Sequence, residues 1–383
     1  MTKILLIASA GAGKTHRIAK EACELTKDHK RILIITYTRS NQREIEHKCH
    51  TFGGAKQGKI EVKGWYSFLL EDVIRPYQKI FFDKRIESIH FNSSNPHKRG
   101  NSNVYGTAEE FDGVSVNHKH YLTSNCTKAH TEFLSKLAAR IIKVKGEGSV
   151  KRINDLYDYI FIDEVQDLAG WDYDLLHPLF RSTIPVICVG DFRQTIYDTT
   201  SNPKKPNLSN DKLSVFKKLK FKQEEMAVSR RCIQSICDYA DAIHHASNFP
   251  QTKSLVDNIS EEFTEHLGVF AIPSSMVDEY INHFMPVILR DSKISAKHLN
   301  IIPVEKINFG QSKGLSYNRT LIVPTKNIES YLLGNNSAFG KLKTDKAINR
   351  FYVAVTRARY SVGFIIDDNK LGQVSLPIWK DPT

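Results

Sequence analysis

The stretch that decides the fold is Ala8-Ser9-Ala10-Gly11-Ala12-Gly13-Lys14-Thr15. It follows an apolar run, Ile4 to Ile7, and precedes a helical pattern near Thr15 to Lys27. Glycines in such a strand-to-helix turn let backbone N–H groups close around phosphate oxygens, and the helix N-terminus adds positive potential. A glycine-rich turn that binds nothing is the alternative. The phosphate-binding loop is predicted to comprise Ala10, Gly11, Ala12, Gly13, Lys14 and Thr15.

The last two residues of this loop have side chains suited to a nucleotide and its metal. Lys14 would reach the β- and γ-phosphates, and the Thr15 hydroxyl would bind a magnesium ion. The strict pattern has glycine where this chain has Ala8. The loop therefore predicts binding of a nucleoside triphosphate together with Mg²⁺.

An acidic pair, Asp163-Glu164, ends the apolar run Tyr159 to Ile162. Carboxylates at the end of a buried parallel strand lie at the ligand-binding edge of the sheet. Asp163 can hold the metal, and Glu164 can orient or deprotonate the attacking water. Such a pair alone is more often a helix cap, but together with the phosphate loop it favours an NTPase over a passive binder.

Further apolar runs alternate with helical patterns, as in Ile32 to Thr36 followed by Arg39 to Cys49. This alternation predicts an α/β protein with parallel sheets and helices on both faces. A second α/β unit is expected from Met226 onward. The remaining strand candidates are Pro185 to Val189, Val269 to Ile272, Thr320 to Val323 and Ser361 to Ile366.

Composition narrows the class of protein. The chain has 383 residues, with 54 Lys and Arg against 42 Asp and Glu, so the net charge is +12. This excess favours a polyanionic partner, most simply nucleic acid, over a merely basic soluble protein. The 6 cysteines show no zinc spacing and are predicted to be buried thiols in a reducing cytosol. No apolar run approaches the ~18 residues of a membrane span, so we expect a cytoplasmic protein without a membrane partner.

Two segments depart from the alternating pattern. Ser88 to His130 is polar and rich in Asn, Ser and His. A metal site there is conceivable, but an exposed, partly mobile insertion is favoured because no carboxylate or thiol completes a ligand set. Thr199 to Lys222 is rich in lysine and is predicted to be a basic connection out of the first sheet.

Six motifs in order along the chain resemble those of the UvrD/Rep/PcrA helicases of superfamily 1. Ala10 to Thr15 resembles motif I and Ile35-Thr36-Tyr37-Thr38 resembles motif Ia. Motifs II, III, V and VI are matched by Asp163-Glu164-Val165-Gln166-Asp167, Gly190-Asp191-Phe192-Arg193-Gln194-Thr195-Ile196-Tyr197, Gln311-Ser312-Lys313-Gly314-Leu315 and Phe351-Tyr352-Val353-Ala354-Val355-Thr356-Arg357-Ala358. The resemblance spans Ile4 to about Arg359.

The resemblance implies two RecA-like cores with ATP between them, and it assigns roles residue by residue. Gln194 would sense the γ-phosphate, and Arg357, together with Arg231, would reach it from the second core. A surface or DNA-contacting arginine is the alternative for Arg357. The resemblance also implies nucleotide contacts for His16, Arg230 and Gly314.

The DNA side of the resemblance rests on aromatic residues. Tyr37, Trp65 and Tyr66 match places where the family meets single-stranded DNA, and aromatic rings there stack on bases. The alternative for these residues is a place in the core, and for Trp65 the two interpretations are evenly balanced.

The chain also departs from the family pattern. The segment with the adenine-reading glutamine does not precede the first strand, and Arg230 stands where the family has an adenine-stacking tyrosine, which puts adenine selectivity in doubt. Asp198-Thr199-Thr200 replaces the aromatic residue and Arg-Gly pair that follow motif III. Motif V has Gln311 in place of histidine and Ser316 in place of an acidic residue. The short stretch from Cys232 to Phe309 leaves little room for a fourth domain, which is reminiscent of the helicase-like subunit of Gabija anti-phage systems.

The predicted organisation is a first RecA-like core over 1–75 and 151–222, an insertion over 76–150, and a second core over 223–383. The leading hypothesis is a DNA-dependent ATPase that translocates 3′-to-5′ on single-stranded or partly duplex DNA. A second is an ATP- or DNA-sensing regulatory subunit of a defence complex, which would switch a partner enzyme such as a nuclease without unwinding. A third is a nucleic-acid-binding module without turnover.

Overall fold

The computed structural model describes residues 2–53, 59–92, 94–197, 199, 204–245, 249–299, 303–340, 342 and 344–381. The chain divides into two compact units, and each is described by itself. The first unit consists of Met1–Ile7, Lys14–Gly190 and Tyr197–Glu224. The second unit consists of Ala8–Gly13, Asp191–Ile196 and Glu225–Thr383. Asp198, Thr200 and residues 201–203, which belong to the departures and the basic connection predicted above, lie outside the described residues.

Strands and helices alternate through much of the described chain. The strands are β1 (Lys3–Ala8), β2 (Ile32–Thr36), β3 (Ile60–Gly64), β4 (Ser88–His90), β5 (Lys98–Arg99), β6 (Ser102–Asn103), β7 (Lys128–His130), β8 (Tyr159–Ile162), β9 (Val186–Gly190), β10 (Lys222–Met226), β11 (Val228–Ser229), β12 (Lys253–Ser254), β13 (Gly268–Pro273), β14 (Val287–Arg290), β15 (Lys306–Asn308), β16 (Tyr317–Ile322) and β17 (Ala358–Ile366). The α-helices are α1 (Lys14–Lys27), α2 (Arg39–Thr51), α3 (Trp65–Phe68), α4 (His118–Tyr121), α5 (Thr131–Lys145), α6 (Glu147–Leu156), α7 (Trp171–Arg181), α8 (Ser209–Lys218), α9 (Gln234–Ile243), α10 (Glu261–Thr264), α11 (Val277–Phe284), α12 (Lys326–Leu332) and α13 (Lys346–Val355).

The first sheet has the strand order β10-β1-β9-β8-β2-β3. The pairings of β1 with β9, β9 with β8, β8 with β2 and β2 with β3 are all parallel. Every residue of β2 and β9 is buried, as expected for strands covered on both faces. The four strands predicted in this part of the sequence coincide with β1, β2, β8 and β9 to within one residue.

The second sheet has the order β13-β17-β16-β14-β15, again with parallel pairings. Its core includes Ile236 on α9, Phe351 on α13 and Phe364 on β17, all three buried. Strands β13, β16 and β17 were predicted, whereas β14 and β15 were not. The predicted class, α/β with two parallel-sheet cores and a polar insertion in the first, is confirmed.

The insertion between β3 and β8 is packed more closely than its composition suggests. His97 and His120 are 9% and 6% exposed, and both rings pack on Phe133, with centroids 4.7 and 4.2 Å away. Burial is the main cause that lowers the pKa of His120 to about 4. The expectation that Ser88 to His130 is simply exposed is therefore wrong for these residues. Among the described residues no group of three His, Cys, Asp or Glu side chains could hold a metal ion, so the alternative of a metal site has no support there.

Asp172, at the start of α7, joins several parts of the first unit. Its carboxylate accepts hydrogen bonds from Trp65 Nε1 at 2.9 Å and from the backbone N–H of Ala169 at 2.8 Å. The hydroxyls of Ser135 and Thr199 also donate to it. The side chain is fully buried, and these four donors offset the cost of removing a carboxylate from water.

None of the described helices is long and apolar enough to cross a bilayer.

Candidate functional site

The loop between β1 and α1 turns at two glycines with left-handed backbone. Gly11 and Gly13 have φ values of 76° and 78°, a region that favours glycine. A Cβ at Gly11 would lie 2.7 Å from both Ser229 Oγ and Arg231 Cβ, so only glycine fits. The carbonyl of Gly11 accepts a hydrogen bond from the backbone N–H of Arg230 at 3.0 Å. Helix α1 begins at Lys14, which places the predicted lysine and Thr15 in its first turn.

In the first unit, Lys14 contacts one of the two predicted carboxylates. Its Nζ lies 3.3 Å from Glu164 Oε1, and both side chains are largely buried. Glu164 has φ = 53°, a left-handed conformation that costs free energy for a residue with a side chain. Gln166 donates a hydrogen bond to the second oxygen of Glu164. The strained backbone and the two contacts fix the direction of this carboxylate.

Asp163 is 2% exposed and only partly paired. Thr36 Oγ1 lies 3.5 Å from its Oδ2, and within the described residues Oδ1 has no hydrogen-bond partner. Burial, and then the neighbouring Glu164, raise the pKa of Asp163 to about 7. A buried carboxylate oxygen without a partner fits a hard cation, and Mg²⁺ prefers oxygen ligands of this kind. The residues present therefore fit the predicted magnesium ion.

In the second unit, Arg357 and Gln194 lie together. Arg357 is 1% exposed, and its Nη2 donates to Gln194 Oε1 at 3.5 Å. Its Nε donates to Val353 O at 3.0 Å and its Nη1 to Leu315 O at 3.1 Å. Burial, and then the charge of Arg231, lower the pKa of Arg357 to about 9. A cation in this situation is stabilised by an incoming anion such as a phosphate.

The other predicted nucleotide contacts are more exposed. Arg231 is half-buried and donates to Thr356 O at 3.2 Å. Arg230 is exposed, with Nη1 3.4 Å from Ala12 O. Gly314 is exposed with φ = 88°, and no atom would obstruct a Cβ there. In the first unit, His16 is exposed and meets the Phe52 ring edge-on at 5.1 Å.

The sequence did not reveal the role of Arg193, which lies inside the segment that resembles motif III. Its guanidinium is 2% exposed and donates to Asp191, Asp241 and Ser9. No local pattern distinguishes this arginine from an exposed one, because two of its three partners, Asp241 and Ser9, come from distant parts of the chain.

An aromatic groove of about 1040 Å³ lies within the first unit. Tyr37 and Tyr66 line it, with ring centroids 5.9 Å apart and hydroxyls 3.3 Å apart. Phe91, which is 65% exposed, meets Tyr66 edge-on at 6.1 Å. Arg39 and Arg75 also line the groove. Sequence reasoning missed Phe91, since a lone aromatic residue in a polar insertion carries no motif.

Trp65 also lines the groove, but it is less exposed than its neighbour Tyr66. It is 1% exposed and donates its indole N–H to Asp172. This position favours the core alternative for Trp65 over base stacking.

The chain is similar to known proteins in sequence and in structure. A family model described as an AAA domain matches residues 1–200 of the 383. The chain is 13% identical to arterivirus nonstructural protein 10, a helicase solved in complex with DNA, with a TM-score of 0.39. That match covers 98% of this chain and 63% of the viral chain, so this chain spans less than two thirds of that helicase. No curated protein matches the chain.

Proposed function

We propose that this chain, which belongs to the AAA domain family, is a nucleic-acid-dependent ATPase of the superfamily 1 helicase type that uses ATP and Mg²⁺. The observation that carries the proposal is Lys14 of the phosphate loop at 3.3 Å from Glu164, next to the partly unpaired carboxylate of Asp163. Burying a carboxylate oxygen without a hydrogen-bond partner costs free energy, and a purely structural role for the acidic pair does not explain that cost.

In the first unit, each side chain is assigned a separate task. Lys14 leaves Glu164 and binds the phosphates when the nucleotide arrives, because the phosphates carry more negative charge than the Glu164 carboxylate. Glu164 orients the attacking water and accepts its proton. Asp163 and Thr15 would hold Mg²⁺, which neutralises charge on the phosphates.

In the second unit, Gln194 and Arg357 are assigned to the γ-phosphate. An arginine on the developing negative charge contributes a rate factor on the order of 10³–10⁵. The lowered pKa of Arg357 supports this assignment, because a phosphate would restore the stability that burial removes from the cation. Arg231 is assigned to the same phosphate, and His16, Arg230 and Gly314 to the rest of the nucleotide.

The aromatic groove is proposed to bind single-stranded DNA. Tyr37, Tyr66 and Phe91 offer ring faces for bases, and Arg39 and Arg75 offer charge for the DNA backbone. The net charge of +12 supports the same partner. Translocation in the 3′-to-5′ direction on single-stranded or partly duplex DNA follows from the resemblance to UvrD-like proteins and is part of the proposal.

The test is ATP turnover with and without single-stranded DNA, beside a Glu164→Gln variant. Strong stimulation by DNA in the wild type, lost in Glu164→Gln, is the expected result. Turnover equal in the two proteins would contradict the assignment of the carboxylate.

The low exposure of Trp65 supports a second candidate function, because a side chain that is 1% exposed offers little surface for stacking on a base. In this candidate, the protein is an ATP- or DNA-sensing regulatory subunit of a defence complex, for example one that activates a partner nuclease without unwinding DNA. DNA-independent turnover, with no displacement of an annealed strand, would favour this candidate over the translocase.

A further inference from the structure

Arg193 is a buried cation with an unusually complete set of partners within the second unit. Its Nη1 donates to Asp241 Oδ1 at 2.6 Å, its Nε to Asp191 Oδ1 at 3.3 Å and its Nη2 to Ser9 Oγ at 2.8 Å. The ring of Tyr352 lies 4.7 Å from the guanidinium carbon and covers one face of the group. Planar, forked donors of this kind hold several partners in one geometry, which an ammonium group cannot do.

Asp191 connects this arginine with the glutamine of the proposed site. Its Oδ2 accepts from Gln194 Nε2 at 2.8 Å and from the hydroxyl of Tyr352 at 3.3 Å. Because the amide nitrogen of Gln194 is held by Asp191, its Oε1 is left to face Arg357. The orientation of the Gln194 amide is therefore set by the carboxylate that Arg193 also binds.

The same arginine holds the beginning of the phosphate loop. Ser9 Oγ accepts from Arg193 and from Thr252 Oγ1, the latter at 2.8 Å. The backbone N–H of Ala10 donates to the Tyr352 hydroxyl at 3.3 Å. Ser9 is fully buried, so its hydroxyl is available to these partners and not to solvent.

We propose that Arg193 is a positioning residue that couples the phosphate loop at Ser9 to the orientation of Gln194. The inference rests on the proposed function, since it supposes that the loop and Gln194 serve one nucleotide. Arg193 does not touch the nucleotide itself. It makes the position of the loop and the direction of the Gln194 amide depend on each other, so that a γ-phosphate is recognised only when both are in place.

The first test is Arg193→Met, with Arg350→Met as the matched control. Arg350 forms an exposed ion pair with Asp291 at 3.4 Å and has no place in the network. A displacement of about 1 Å at a reacting group can cost 10²-fold, so we expect kcat of Arg193→Met to fall by about that factor. Its affinity for ADP should stay within about threefold of the wild type, because Thr252 still binds Ser9 and the Tyr352 hydroxyl still binds the N–H of Ala10.

A second measurement separates positioning from a general loss of structure. The ratio of affinities for a non-hydrolysable ATP analogue and for ADP reports recognition of the γ-phosphate. Arg193→Met should change this ratio in the same direction as Gln194→Ala, whereas Arg350→Met should leave it unchanged. A folded Arg193→Met protein with normal kcat and a normal ratio would overturn the inference.

Ser9→Ala keeps the proposal testable if Arg193→Met fails to fold, since removal of one partner from a buried ion pair is strongly destabilising. This variant loses one hydroxyl and keeps Arg193 with both carboxylates. The variant removes the hydrogen bond that links Arg193 to the loop, so kcat should fall in the same direction as in Arg193→Met but by a smaller factor, about tenfold, at unchanged ADP affinity. Ser214→Ala, at an exposed serine, is the control. Unchanged kcat and an unchanged affinity ratio in Ser9→Ala would equally overturn the inference.

Failure of the proposed function is distinguishable from failure of the inference. A wild-type protein that binds both nucleotides without hydrolysis would refute the proposed ATPase, and the affinity ratio would then decide the inference alone. A wild-type protein that binds neither nucleotide would refute both.

Discussion

Asp163 of the first unit and Arg357 of the second are both buried charges whose environments disfavour the charged form, but with opposite sign. Burial and Glu164 raise the pKa of Asp163 to about 7. Burial and Arg231 lower the pKa of Arg357 to about 9. The described hydrogen bonds of Arg357 go to uncharged oxygens, and Oδ1 of Asp163 has no partner among the described residues.

Within the first unit, the environment of Asp163 favours a bound cation, whereas within the second unit the environment of Arg357 favours a bound anion. Perturbed groups of this kind concentrate at functional sites. If both groups serve one activity, a variant at either residue should lower that activity, but only the Asp163 variant should change metal affinity.

The largest expected effect is that of Lys14→Ala, which should reduce ATP turnover to the background level. The variant removes the cation that we propose binds the phosphates, and it leaves the Glu164 carboxylate without that partner. Steady-state ATPase assays measure the loss, with Lys20→Ala, an exposed lysine on the same helix, as the control. Wild-type turnover in purified Lys14→Ala would contradict the phosphate-loop assignment.

Arg357→Ala should lower kcat on the order of 10³-fold while it changes ATP affinity far less, because the contact matters most in the transition state. Arg357→Lys should restore little activity, since it loses the forked donors that reach Val353, Leu315 and Gln194. The measurement is turnover at saturating DNA together with an equilibrium nucleotide titration. Near-normal kcat in the alanine variant, with weakened DNA binding, would instead favour a DNA-contacting arginine.

Asp163→Asn should weaken Mg²⁺ binding in the presence of nucleotide by at least about 10- to 100-fold, because loss of a carboxylate that holds the metal costs no less than loss of a group that only supports a metal ligand. Arg357→Ala should leave Mg²⁺ affinity almost unchanged, because the environment of Arg357 favours a bound anion and not a cation. Titration of Mg²⁺ at fixed nucleotide checks both variants. Equal losses of metal affinity in the two variants would contradict the inference that only Asp163 favours a bound cation.

DNA binding gives the smallest expected difference. The logarithm of affinity for single-stranded DNA should fall with the logarithm of salt concentration at about −0.7 per neutralised phosphate. Arg39→Ala should make the slope shallower by about 0.7, since Arg39 lines the aromatic groove. Arg357→Ala should not change it. If Arg357→Ala changed the slope and Arg39→Ala did not, the proposal that DNA binds in the aromatic groove of the first unit would be wrong.

Much of the fold, and the glycine backbone of the candidate phosphate loop, could be predicted from local sequence. A phosphate loop needs glycines, lysine and threonine in tandem, and a parallel strand buried on both faces needs a continuous apolar run. These demands fall on neighbouring residues, so the pattern predicted β1, β2, β8 and β9. Strand β15 was missed because it is short and has no continuous apolar run, whereas β14 contains the apolar run Val287-Ile288-Leu289 and was overlooked.

The remaining features depend on residues far apart in the chain. Arg193 and Ser9 are 184 positions apart, and Trp65 and Asp172 are 107 apart. Whether an aromatic ring or an arginine faces solvent or the interior is decided by such partners. A single sequence therefore left Trp65 undecided, and it gave no sign of the network around Arg193.

The carboxylate of Asp172 has a practical consequence for anyone who wishes to shorten this protein. Its donors come from α3, from α5 within the insertion, from the turn before α7 and from Thr199. Excising 76–150 would take Ser135 away and leave a fully buried anion with fewer donors. The insertion is thus not a detachable module. A chain without it would lose a hydrogen bond to Asp172, which belongs to the part of the first unit that remains.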